Sequence, residues 1–355
     1  MGMLLLLFRV AAVAVVTMIS TVHTLSSSSA PPVRSTTVPL AYTDYYSSST
    51  TTTTATEQRP PAIFVHGLLG NKRNFVSLAR SLGDRLQHPR TLVGVDLRHH
   101  GESAAVTTTT TTTSHSMSYT SMAHDILQFM DDHDMETAEL IGHSVGGKVA
   151  QYVYIVAIHV CMCTVGSHTH THTLSLSLSL SPHRAVALLA PDRIVGLVVL
   201  DIAPVTYTVD EPQWQAVADI LRILASNNSS SSAASREAMD GWLKEQGITD
   251  PAIRAFVLTN YDGVRWTIPV DLLYRELETL AGFALQHDDD DDKQWHGDAF
   301  FIHGGQSRFV RSAHLATIGQ YFPQHLLTTV RGAGHWIHAE APEDTTALLQ
   351  QYLDR

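Results

Sequence analysis

The sequence predicts an α/β fold: a mostly parallel, doubly wound sheet with a helical cap inserted after the strand that ends at Asp201. Three observations carry this expectation. Short apolar runs rich in β-branched and aromatic residues alternate with stretches of helical periodicity, as strands and crossover helices do in a parallel sheet. Gly142-His143-Ser144-Val145-Gly146 follows the apolar run 138–141 and precedes residues able to open a helix. His335, inside Gly332-Ala333-Gly334-His335-Trp336, follows the last apolar run, 326–330.

Residues 1–37 read as a targeting segment. Apolar stretches 3–8 and 10–16 flank Arg9, Ser/Thr-rich chain follows, and no Asp or Glu appears before Asp44. Arginine-bearing, serine-rich, acid-poor sequence describes an organelle transit peptide. The leading apolar block also suits a secretory signal or the first half of a plastid address. Arg9 and a length close to the minimum span argue against a permanent membrane anchor.

Residues 38–355 read as the folded domain. Its first clear strand, Ala62-Ile63-Phe64-Val65, runs into His66-Gly67-Leu68-Leu69-Gly70. A strand ending in His-Gly can present a backbone N–H, that of Leu68, toward a reacting oxygen. His66 reads as a brace for the loop rather than a base. The next landmark is the G-x-S-x-G pattern at 142–146. Its glycines suit a sharp strand-to-helix turn that lifts the Ser144 hydroxyl above the sheet, where a side chain at either flank would strike neighbouring backbone. The helix N-terminus behind the serine favours developing negative charge, and the Val145 N–H is the second candidate donor to an oxyanion.

Segment 154–186 interrupts the helix that begins at the elbow. It contains alternating His-Thr from His168 and Leu-Ser through Ser181, as a translated CACACA and CTCTCT tract would. Joining Val153 to Ala187 restores a continuous run, so the segment reads as an insert; a metal-binding face on a strand is the alternative. Runs of Thr at 50–54 and 107–113 and of Asp at 288–292 read as solvated loops. The acidic run lacks the interleaved spacing of a calcium loop.

Val198-Val199-Leu200 leads into Asp201-Ile202-Ala203-Pro204, placing a carboxylate at the carboxyl end of a strand, where catalytic groups collect. The later strand, 299–303, is followed by Gly304-Gly305-Gln306-Ser307-Arg308, with no carboxylate. Asp201 is therefore the candidate partner for His335, and Asp271 is the runner-up. Asp271 also reads simply as the acid of a helix first turn. Between Asp201 and Phe300 the chain is too long for one crossover. Helical periodicity at 214–224, 238–244 and 272–281 predicts a cap over about 205–295. Leu221, Leu224, Leu272 and Leu273 are candidates to line an acyl pocket or to pack the core of the cap. His335 closes the set, because small neighbours let a loop deliver its ring to the serine. His338 reads as a surface residue.

Taken together, Asp96-Leu97-Arg98-His99-His100-Gly101-Glu102-Ser103, the elbow extended through Gly147-Lys148, Asp201-Ile202-Ala203-Pro204 and Gly334-His335-Trp336 resemble one branch of the α/β-hydrolases. That branch holds small bacterial serine esterases and their mitochondrial relative, abhydrolase-domain-containing protein eleven. The resemblance covers the chain from about Val38 to its end, apart from the inserts. It implies the α/β-hydrolase fold, ester or thioester hydrolysis on acyl substrates, no metal or organic cofactor, and an acid within the Asp-Ile-Ala-Pro motif. It also favours the mitochondrion among the possible destinations.

Bulk properties agree with a single enzyme domain carrying additions. The chain has 355 residues and a formal net charge of −11, which makes nucleic acid an unsuitable partner. Its two cysteines, Cys161 and Cys163, stand too close for an unstrained mutual disulfide and too few for a four-ligand zinc site. The sequence thus predicts a serine esterase with Ser144 as nucleophile, His335 as base, Asp201 as orienting acid, and Leu68 and Val145 N–H groups as the oxyanion hole. Its expected partner is a small acyl ester or thioester, with no metal, no cofactor and no stable membrane span. Two alternatives stand beside it: a non-catalytic binding protein on the same fold, and a cofactor-free C–C hydrolase or synthase using the same three residues.

Overall fold

A computed structural model describes residues 37–47, 59–104, 116–153, 193–227, 235–283 and 294–355. All but the last residue of the segment 1–37 read as targeting, the segment 154–186 read as an insert, with both cysteines, and the threonine and aspartate runs lie outside the described residues.

Seven strands form one sheet among the described residues. They are β1 (Tyr42–Tyr46), β2 (Ala62–Val65), β3 (Leu92–Val95), β4 (Ala138–His143), β5 (Ile194–Leu200), β6 (Ala299–Gly304) and β7 (Leu326–Val330). Their spatial order is β1-β3-β2-β4-β5-β6-β7, and only β1 runs antiparallel to its neighbour. Successive residues on a strand face opposite ways. Ile63 and Val65 accordingly join one hydrophobic core with Val93, Leu140 and Val199, while Ala62 and Phe64 join a second with Ile141, Val198 and Phe300. Both faces are covered, so the central strands are apolar throughout and legible as short runs. β1 is an edge strand of mixed polarity, Tyr-Thr-Asp-Tyr-Tyr, and was not among those runs.

Helices α1 (Val76–Gly83) and α11 (Pro342–Leu353) pack beneath the second core through Leu78, Leu82, Leu349 and Leu353, and α9 (Leu315–Tyr321) adds Ile318 to the first. The first core receives α2 (Tyr119–Asp132) and α3, the helix that starts at 145 and is described through 153. Ser118 immediately precedes α2, and its Oγ accepts the Ser121 N–H at 3.2 Å and so caps one of the helix's free amides. The loop after β3 is anchored by charge. Asp96 accepts from Lys72 Nζ at 2.6 Å and from the Lys72 and Glu102 amides at 2.7 and 2.8 Å. Nearby, Arg98 holds the buried Asp125 carboxylate with two nitrogens, at 2.7 and 2.8 Å. β2 lies between β3 and β4, so the loops leaving β2 and β4 diverge at one point on the carboxyl edge. Crevices for ligands form at such points in parallel sheets.

Among the described residues, five helices occupy the stretch between β5 and β6. They are α4 (Pro212–Asn227), α5 (Arg236–Glu245), α6 (Pro251–Leu258), α7 (Val270–Arg275) and α8 (Leu277–Ala281). The periodic stretches fall in α4, α5 and α7–α8, with a break at Glu276. α6 escaped that reading, although Asp250-Pro251 marks its start. The Asp250 Oδ1 accepts the Ala252 and Ile253 amides, and proline needs no hydrogen-bond acceptor at the first helical position.

The insertion leaves and rejoins the body at one place. The Tyr207 amide donates to Ala281 O at 3.0 Å, and the Phe283 amide to Thr206 Oγ1 at 3.0 Å. Lys148, on the elbow helix, reaches the same place. Its buried ammonium donates to Ala281 O at 2.8 Å and Gly282 O at 2.7 Å and lies 4.7 Å from the Tyr207 ring centroid. Burial holds this lysine well below its usual pKa. Among the described residues no helix is long and apolar enough to cross a membrane.

Candidate active site

Ser144 stands between the end of β4 and the first residue of α3, at φ 54° in the left-handed region. For a residue with a Cβ this costs on the order of 1–3 kcal/mol, supplied by the surrounding structure. The flanking glycines allow the turn. A Cβ on Gly142 would lie 2.3 Å from Gly146 O, and one on Gly146 would lie 2.3 Å from Val65 O. The turn is fixed to the neighbouring strand by the Ser144 amide, which donates to Leu200 O at 3.0 Å.

Three side chains from distant parts of the chain meet at this turn. His335 Nε2 lies 3.0 Å from Ser144 Oγ, and His335 Nδ1 lies 2.6 Å from Asp201 Oδ2. A carboxylate accepts, so the ring proton sits on Nδ1 and leaves Nε2 free to accept the serine hydroxyl. Asp201 is fully buried just beyond β5, whereas His335 keeps 19% of its side chain exposed. The loop after β6, which carries no acid, supplies donors instead. Gly304 N–H donates to Asp201 Oδ1 at 3.0 Å and Ser307 O–H to Oδ2 at 2.5 Å. Asp271, the runner-up, sits exposed in the first turn of α7.

Two neighbours of His335 were not singled out from sequence. The Phe309 ring stacks on it at 4.1 Å between centroids, and His143 Nε2 donates to its carbonyl at 2.9 Å. His143 occupies the variable position of the elbow, where the pattern itself asks for nothing. His338 corrects the surface reading: it is 93% buried, packed on Phe75 and His143. The short helix α10 (Ile337–Glu340) begins directly after Trp336 and turns His338 inward toward the second core.

The turn after β2 lies against the serine. A Cβ on Gly67 would fall 3.0 Å from Ser144 Cβ, and the Gly70 amide closes the turn onto Gly67 O at 3.0 Å. Leu68 and Val145 both line the cavity beside Ser144. The Val145 amide falls in the first turn of α3, where no intrahelical acceptor exists. His66 braces the turn as expected: its Nδ1 donates to Gly67 O at 2.8 Å, and its Nε2 accepts the Leu97 amide at 3.0 Å.

A cavity of about 290 Å³ opens over Ser144, walled mainly by Leu68, Val217, Ile220, Ile253, Phe256 and Trp336. None of the four leucines considered for this wall contributes to it. Leu221, Leu224 and Leu273 are buried in the core, and Leu272 is half-buried elsewhere. On a helix each residue turns the side chain by about 100°. Val217 and Ile220 line the cavity, Leu221 is turned from Ile220 into the core, and Leu224, on the same face as Val217 but two turns farther along α4, is buried beyond the cavity. Helical periodicity alone resolves neither difference.

Burial lowers the pKa of His66, His100, His143 and His338, taking His100 and His338 to about 3. In the unfolded chain these rings take up protons near their usual 6.5. Their contribution to stability is thus complete above that pH and is lost as pH falls below it, for His100 and His338 down to about 3. Between pH 7 and pH 5 these two alone remove about 4 kcal/mol, at roughly 1.4 kcal/mol per unit per group. Urea unfolding at pH 7.5 and 5.0 is the measurement; equal midpoints would contradict the neutral burial of these rings.

A family profile described as the alpha/beta hydrolase family matches residues 62–348. The chain belongs to the alpha/beta hydrolase family. Among its relatives is the mouse (Mus musculus) protein described as sn-1-specific diacylglycerol lipase ABHD11, 29% identical over 298 residues, or 83% of this chain and 81% of that one. Esterase YbfF of Escherichia coli (strain K12) is 27% identical over 294 residues, covering 83% of this chain and 93% of YbfF. A solved structure described as a marine microorganism esterase aligns with a TM-score of 0.68 at 26% identity. That alignment covers 89% of this chain and all of the other.

Proposed function

We propose that the protein is a serine hydrolase that cleaves carboxylic esters of acyl substrates through a covalent acyl-enzyme. The observation that carries this reading is the unbroken line from Ser144 Oγ through the His335 ring to Asp201, at the floor of an apolar cavity. Relatives described as esterases and a lipase support the ester as the bond cleaved. Thioesters undergo the same chemistry and belong to the same proposal.

In the first half-reaction Ser144 Oγ attacks the acyl carbon while its proton passes to His335 Nε2. The carbonyl oxygen becomes an oxyanion held by the Leu68 and Val145 N–H groups. His335 gives the proton to the departing alkoxide or thiolate, leaving the acyl group on Ser144. A water then repeats the sequence, releasing the acid and restoring the serine. Asp201 keeps the His335 ring in the required tautomer and stabilises it when charged. In this reading helices α4–α8 serve as a cap, and their apolar wall receives the acyl chain. Before Asp44 the chain is acid-poor and serine-rich, and its branch has a mitochondrial member; both support targeting to an organelle, with the mitochondrion favoured.

A fluorophosphonate probe tests the chemistry, and p-nitrophenyl esters of increasing acyl length test the pocket. The probe is expected to attach at Ser144. kcat/KM is expected to rise by up to about fourfold per added methylene while the chain still fits, from roughly 0.8 kcal/mol per buried CH₂. A charged acyl group, such as a hemisuccinate, should be rejected, because the residues lining the cavity are mainly apolar and include no lysine or arginine to pair with its carboxylate. Folded protein with neither labelling nor ester turnover would contradict the proposal.

A further inference from the structure

The turn that carries the Leu68 amide contains a second strained residue. Leu69 has φ 61°, in the left-handed region, at the third position of the turn closed by Gly70 N–H and Gly67 O. Turns of this kind call for glycine or asparagine there, because a Cβ makes the conformation costly. Leu69 is buried, and both of its backbone polar groups are held by side chains from other elements. Its N–H donates to His100 Nε2 at 3.3 Å, while His100 Nδ1 donates to Arg98 O at 3.0 Å. Its carbonyl accepts Asn260 Nδ2 at 2.8 Å.

Asn260 comes from the helical insertion, directly after α6, and is 99% buried. It is itself fixed in place. Its carbonyl accepts the Thr267 amide at 2.8 Å and the Thr267 hydroxyl at 3.0 Å, and its amide donates to Val257 O at 3.1 Å. Beside it, Thr259 Oγ1 accepts Asn71 Nδ2 at 3.4 Å, a second tie between the insertion and the same turn. The strain of Leu69 is therefore maintained partly by the loop after β3, through His100, and partly by the insertion, through Asn260.

We propose that Asn260 is a positioning residue for the oxyanion hole: by holding the Leu69 carbonyl it keeps the turn strained and the adjacent Leu68 amide aimed above Ser144. This inference rests on the serine-hydrolase reading. Without the Asn260 donor, Leu69 relaxes toward negative φ, and a rotation of that size one peptide away moves the Leu68 N–H. Oxyanion donors act over a few tenths of an ångström, so such a movement weakens transition-state binding more than substrate binding. The insertion thus completes the oxyanion site as well as covering it.

The test compares wild type, Asn260→Ala, Asn260→Asp, Leu69→Gly and the Leu69→Gly/Asn260→Ala double variant. Each is measured for kcat and KM on a p-nitrophenyl ester and for the rate of fluorophosphonate labelling. Asn260→Ala is expected to lower kcat and labelling rate by about tenfold or more with KM within about twofold. Asn260→Asp keeps the size but sets an acceptor against the carbonyl, so its loss should be at least as large; it stands in if the alanine variant fails to fold. Glycine adopts positive φ without penalty. The double variant should therefore recover kcat to within about threefold of Leu69→Gly alone. Asn260→Ala at wild-type kcat, an unimpaired Asn260→Asp, or a loss that glycine at 69 leaves uncorrected would each overturn the proposal. Unlabelled wild type would instead contradict the serine-hydrolase reading itself.

Discussion

Ser144→Ala is expected to abolish fluorophosphonate labelling and to lower ester hydrolysis by about 10⁶-fold, the scale on which a comparable triad enzyme responds to loss of its nucleophile. The change removes one oxygen at the centre of the hydrogen-bonded line and leaves the elbow backbone and cavity wall in place. Substrate should still bind, and the oxyanion donors should still act on a water-mediated background reaction. Among the described residues Ser144 is the serine at hydrogen-bond distance from His335 Nε2. Turnover of p-nitrophenyl acetate within tenfold of wild type would show that another group does the work.

The second large effect separates the two acids considered from sequence. Asp201→Asn is expected to cost about 10⁴-fold in kcat, by analogy with other triads, while preserving the fold. Gly304 N–H donates to Asp201 Oδ1, whereas Ser307 O–H and His335 Nδ1 share Oδ2. An asparagine there that keeps its oxygen on the Gly304 amide therefore sets its NH₂ toward His335 Nδ1 and Ser307 Oγ, which can rotate its hydroxyl and accept. The imidazole must then carry its proton on Nε2, where it cannot accept from Ser144. Asp271→Asn alters an exposed residue in the first turn of α7 and should leave kcat within a few-fold of wild type, roughly the scale of a surface change. A steady-state comparison of the two variants decides the assignment, and a reversed order would refute it.

Much of this arrangement is legible in the chain because its signals are local. β2 and β4 are short apolar runs covered on both faces, and each ends in a motif whose residue types are set by close contact. The glycines at 142 and 146 are such a case, since backbone atoms occupy the space of their missing side chains. The acid could be read for a negative reason, the lack of a carboxylate in 304–308. That this loop instead donates to Asp201 was not readable, because hydrogen bonding between loops leaves no periodic mark. β1 escaped because one-sided burial at a sheet edge needs no apolar run. The cavity wall was misplaced for a related reason: periodicity identifies a helix, but neither which side of it faces the cavity nor how far along it the cavity reaches. Leu69 and Asn260 show the limit most clearly. The strain in one is visible only with the other beside it, although they lie far apart in the chain.

The junction around Lys148 has a topological consequence. Tyr207 and Ala281 are joined by a single hydrogen bond, and the lysine ammonium closes over the same carbonyl. For the sheet, everything between those two residues is a detour that returns to its point of departure, with little net separation for the chain to span. Closing such a detour costs free energy that grows only logarithmically with its length. Helices within it can lengthen, shorten or be exchanged without moving β5 relative to β6, and so without disturbing Asp201. The body and the insertion can therefore diverge at different rates, provided that each new version still brings two carbonyls to the buried ammonium and a donor to the Leu69 carbonyl.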